Sequence, residues 1–194
     1  MLRNQEIIIA LLRRGLSTPL DLSGANLRKA DLSNCDLTGC NLTGAILTEA
    51  VLTRTVFTQA DLTDADLREA YMDRARLEQA YLSGANLSGA YLHSARLTGA
   101  VLSGAIMTRA TLIEADLSRA IMNNTTLTAA RLNGARLVGA TLTSARLNGA
   151  NLIGANLSGT NLTGALFKYA EFDGTNAWPP GFDPAGAGAT RVAD

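Results

Sequence analysis

Aromatic residues make up only 5% of this 194-residue sequence, although 47% of it is hydrophobic, so its core has to be assembled from small and aliphatic side chains. Histidine occurs once, as His93, and cysteine twice, as Cys35 and Cys40. That is too little for a disulfide framework or a closed four-ligand zinc site. Seventeen basic residues balance seventeen acidic ones, so no overall charge draws the chain to nucleic acid or an anionic membrane. The longest apolar run near the start, Ile7 to Leu12, falls far short of the roughly 18 residues of a membrane span. Glu6 beside it does not suit a signal peptide, and Arg13-Arg14 follow the run where an export signal would have them precede it. The expectation is a cytoplasmic chain with neither nucleic acid nor membrane as partner. P-loop, G-x-S-x-G, H-E-x-x-H and C-x-x-C motifs are all missing. The sequence therefore predicts no enzyme, no catalytic residue, no cofactor and no metal.

What is present is a period. From Leu22 to Phe172 every fifth residue is large and apolar, giving 31 uninterrupted repeats, and 25 of those central positions are Leu. Two residues earlier, 25 of 31 positions are Ala. On an α-helix a five-residue step advances each Leu by about 140° around the axis, so no apolar face would form. In an extended chain, residues two apart share one side of the backbone, so Ala and Leu point inward together and the residue between them points out. The remaining two positions must turn the chain: Gly fills the second of them in 14 repeats, and Ser or Thr dominates the first. An in-out-in step followed by a corner winds a coil around its own Leu/Ala core, each coil hydrogen-bonding to the next at about 4.8 Å.

Segments such as Ala25-Asn26-Leu27-Arg28-Lys29, Ala65-Asp66-Leu67-Arg68-Glu69 and Ala85-Asn86-Leu87-Ser88-Gly89 carry this period. They resemble the A-(D/N)-L-x-x consensus of pentapeptide-repeat proteins, and the tail Trp178-Pro179-Pro180-Gly181-Phe182-Asp183-Pro184 resembles that of cyanobacterial members. The resemblance implies an all-β fold: a right-handed quadrilateral β-helix with four repeats per coil, about eight coils and a length of roughly 37 Å. A solenoid exposes its interior at both ends and needs caps. Residues 1–19 are expected to supply one, a short α-helix N-capped by Asn4 with Ile7, Ile8, Leu11 and Leu12 on its apolar face, and a linker. Residues 20–174 form the solenoid, and 175–194 a Trp178-centred lid followed by a flexible tail from Ala185.

Residues 20 apart stack on one face of such a coil. Cys35 and Cys40 then point inward on adjacent sides, beyond disulfide reach, and inward Thr55, Thr125 and Thr160 must bond to backbone. One face carries Val51, Tyr71, Tyr91, Thr111 and Arg131 at positions where the family pattern has mostly Asp or Asn, flanked by Asp73, His93, Ile113 and Ile153; such a stripe serves either cross-strand packing within the ladder or a contact surface. The opposite face stacks Tyr81, Val101 and Ile121, and a third carries an Arg96-Asp116-Arg136 charge ladder. The hydroxyl column Ser23, Thr43, Thr63, Ser83 and Ser103 is read as turn chemistry. These features predict a protein-interaction or scaffold module, monomeric or weakly dimeric, with an unidentified protein partner meeting Val51, Tyr71, Tyr91, His93 and Ile113. The alternative, from the quinolone-resistance members of the resembled family, is a DNA-mimicking modulator of type II topoisomerase. That mechanism wants an acidic rod, and the zero net charge disfavours it.

Overall fold

The protein is described by a computed structural model covering residues 19–193; the expected N-terminal helix lies outside the described residues. From Asp21 onward the outward residue of each repeat pairs in parallel with the one 20 positions later, as in Asp21 with Asn41 and Tyr71 with Tyr91. Twenty residues therefore make one coil, and four repeats make its four sides. Each side is so short that it forms a single bridge to its neighbours, and among the described residues only two longer strands form, β1 (Glu171–Phe172) and β2 (Thr190–Arg191).

Backbone accounting explains the repeat. The Leu22 N–H donates to the Asn41 carbonyl at 2.7 Å, Gly24 to Thr43 at 2.8 Å, and Asn41 to Leu20 at 3.0 Å, while Ala25 closes the corner onto Leu22 at 3.0 Å. Four of the five N–H groups in a repeat are used in this way, and the first corner residue is left over. Asp or Asn at the outward position supplies the missing acceptor: Asp21 Oδ1 takes the Ser23 N–H at 3.0 Å, Asn41 that of Thr43 at 3.0 Å, and Asn161 that of Thr163 at 3.1 Å. The A-(D/N)-L pattern is thus an Asx cap on each corner. Hydrogen bonds from the Thr38 and Thr63 hydroxyls hold the Asp36 and Asp61 carboxyls below the usual carboxylate range.

Every second corner residue from Gly24 to Tyr169 has φ near +60°, and 17 of these are not glycine. Positive φ at the third residue of a four-residue turn closed by an N–H to carbonyl bond marks a type II turn. Inside, the Leu and Ala columns between Leu27 and Leu157 are essentially fully buried. Each buried Leu contributes about 2 kcal/mol of transfer free energy, and Ala opposite it lets the interior close without voids. Thr55 and Thr125 donate their hydroxyls to the Leu32 and Leu102 carbonyls at 2.8 Å, and Thr160 to that of Leu157 at 2.6 Å, as buried hydroxyls require. Cys35 and Cys40 are buried and form no disulfide, and burial pushes the Cys40 thiol up.

The ladder ends with a slip. Asn156 pairs with Ala177, 21 positions on, so the chain after Phe172 has left the register. Trp178 closes the end, its ring 5.9 Å from Phe167, 5.7 Å from Phe172 and 5.3 Å from Phe182, edge-on to the first two. Beyond Trp178 the chain returns to the coil: β2 pairs in parallel with β1, and Ala189 is buried in the core cluster. Because β1 otherwise presents an unpaired edge, the small, hydrogen-bonding residues of the tail complete it.

Candidate interaction face

Val51, Tyr71, Tyr91, Thr111 and Arg131 follow one another in a continuous parallel ladder. The coil repeat forces the two tyrosine rings into register: their centroids lie 5.1 Å apart with planes 2° from parallel, and the residues remain 45% and 43% exposed. Val51, Thr111, His93 and Ile113 are half-buried around them. Tyr91 provides no Asx acceptor for the His93 N–H, and the preceding coil compensates, because the Asp73 carboxylate accepts that N–H at 3.1 Å. His93 Nε2 lies 3.9 Å from Glu114 Oε2 at the edge of the face. The ladder thus gathers all five residues singled out by sequence, with the tyrosines at the centre and His93 and Ile113 on the adjoining corner.

On the corner before the tyrosines runs a shallow groove of about 580 Å³ beside Arg68 and Glu69 at one end and Thr108, Arg109, Thr128 and Ala129 at the other. The opposite face also exposes Tyr81 and Ile121, but it stacks one ring on aliphatic residues and forms no ring pair. The expected Arg96-Asp116-Arg136 ladder is present as backbone pairing, yet the ion pairs formed differ. Glu78, on the neighbouring corner, lies 2.9 Å from Arg96 and 3.5 Å from Arg76 and bridges the two. Sequence reasoning paired only residues within one column and missed this partner in the next. It also missed a segregation hidden by the zero total: residues 117–170 contain Arg119, Arg131, Arg136, Arg146 and Lys168 and no acidic residue.

A family profile described as pentapeptide repeats matches the chain in eight copies, over residues 21–59, 35–73, 60–99, 70–109, 85–124, 105–143, 120–159 and 145–177. The chain belongs to the pentapeptide-repeat family. Its coil is accordingly the right-handed β-helix of that family. Among solved pentapeptide-repeat structures it is similar to HetL, involved in heterocyst differentiation regulation in the cyanobacterium Nostoc sp. strain PCC 7120, at 29% identity over 88% of this chain and 92% of HetL, with a TM-score of 0.45. Rfr23 from the cyanobacterium Cyanothece 51142 is 39% identical over 50% of this chain and 63% of its own, with a TM-score of 0.35. QnrB1, a plasmid-mediated fluoroquinolone resistance protein, shares the fold at 18% identity over 91% of this chain and 90% of its own, with a TM-score of 0.53. No curated protein sequence matches the chain. Among the described residues of this pentapeptide-repeat protein no helix is long and apolar enough to cross a membrane.

Proposed function

We propose that this pentapeptide-repeat protein is a non-enzymatic binding module whose contact surface for a protein partner is the Tyr71/Tyr91 face. The observation that carries this reading is the stacked, half-exposed ring pair, set where other repeats use Asp or Asn to cap their corners. The rings give up that cap and offer in its place a rigid aromatic area that is already ordered. Preordered aromatic anchors lose little entropy on association, which is why tyrosine is enriched at interface centres. Val51 and Ile113 extend the apolar area, and His93 with Asp73 and Glu114 supplies a polar edge. Mimicry of DNA is the weaker reading, since a rod with an acid-free stretch from residue 117 to 170 presents the wrong charge over two and a half coils.

A pull-down from native extract with the wild type and with Tyr71→Ser/Tyr91→Ser tests the reading. Partner recovery is expected to fall at least about ten-fold in the double variant, the loss of two interface anchors. Equal recovery by a variant that still gives the wild-type melting curve removes the tyrosine face as the contact surface.

A further inference from the structure

The tyrosine stack is open at the end nearer the C-terminus. One face of the Tyr91 ring is covered by Tyr71, and the next residue along the ladder on its other side is Thr111, whose side chain stops at its β-carbon substituents. The residue after that is Arg131, exposed, and no ion pair or hydrogen bond engages its guanidinium among the described residues. Successive coils lie about 4.8 Å apart, so the step from Tyr91 to Arg131 spans about 9.6 Å. A planar ring entering midway would sit about 4.8 Å from each, inside the 4.5–7 Å range of stacked aromatics and within about 6 Å of the cation. The other end of the stack offers no such bracket, because beyond Val51 the ladder reaches an acidic residue, Asp31.

We infer that the gap over Thr111, between the Tyr91 ring and the Arg131 guanidinium, is a slot for one aromatic side chain of a peptide segment that carries a carboxylate beside it. This rests on the reading of the tyrosine face as the contact surface and names what that surface takes. The carboxylate is called for by Arg131 and by Arg109, which stands in the neighbouring groove without an ion-pair partner among the described residues. Thr108 and Thr128 line the same groove, and their N–H groups, which follow Ile106 and Thr126 and so lack an Asx cap, make no hydrogen bond among the described residues. They are stacked one coil apart, as donors for peptide carbonyls would be. On the far side the chain turns at Ile113, two residues after Thr111 and half-buried, whose hydrocarbon side chain suits an aromatic neighbour and cannot read the hydrogen-bonding edge of a nucleobase.

The test is methyl NMR on the full chain, following Thr111 and Ile113 while the peptide acetyl-Glu-Trp-Glu-amide is added, with AMP titrated in parallel. Ring-current shifts of both methyls that saturate with the peptide are expected. Arg131→Gln should weaken the apparent affinity about five-fold. Thr111→Tyr places a third ring on the stack, fills the slot, and should leave the Ile113 methyl unresponsive while the outer edges of Tyr71 and Tyr91 stay exposed. Equal peptide response in Thr111→Tyr or in Arg131→Gln, a response to AMP alone, or no response at all overturns the slot. If the Tyr71→Ser/Tyr91→Ser variant loses its partner while Thr111→Tyr retains it, the slot fails and the tyrosine face stands.

Discussion

Ala129 holds φ at +56° on a corner whose ladder neighbour is Gly149. An L-residue in that conformation bears a cost of about 1–2 kcal/mol, and glycine does not, although glycine gives back part of the difference through its freer unfolded chain. Ala129→Gly is therefore expected to raise stability by about 0.5–1 kcal/mol, read as a higher urea midpoint at unchanged slope. The corner residue was only half legible in the sequence. Fourteen glycines announced the turn, yet Glu69, Arg109 and Tyr169 sit in the same left-handed conformation, because the bonds above and below impose it on any residue. The Asp and Asn of the consensus were visible as a pattern, while their work as corner caps follows only from counting which N–H the ladder leaves unused.

The closing element behaves differently from the coils it covers. Trp178, half-buried, touches both terminal phenylalanines of the core column, so Trp178→Ala removes an aromatic cluster and opens the solenoid end to water. A loss of about 3 kcal/mol is expected, together with enhanced binding of a hydrophobic dye at the same temperature. A variant with neither change would show that the lid is ornamental. The aromatic residues of this lid could be picked out by eye, since Trp178 is unique and the period stops before it. The tail beyond it could not: small residues without a pattern carry no signal of their own, and β2 exists only because β1 leaves an edge to be paired. The face residues stand between these cases. Their column follows from arithmetic on the period, whereas the ring geometry and the Asp73 to His93 bond depend on the coil spacing.

At the scale of the rod, each coil touches only the one before and the one after, so stability is close to a sum over coils and their interfaces. Deleting residues 132–151 removes one full turn and joins Arg131 to Leu152, an outward residue to a central one, as in every intact repeat. The shortened chain is expected to fold with an unchanged far-ultraviolet spectrum and, by small-angle scattering, to be about 4.8 Å shorter. An unfolded product would mean that the coils are not independent units. The deletion also takes Arg136 and Arg146 out of the basic stretch and leaves the tyrosine ladder whole.

The twenty-residue register also sets a rule for how such a rod can change over generations. A gene that gains or loses four repeats keeps every column aligned and merely alters the reach of the rod. A gain of one repeat acts as a quarter-turn of a dial: all residues beyond the insertion move to the next side together. Placed after Thr111, it would carry Arg131 off the tyrosine side without altering a single existing amino acid.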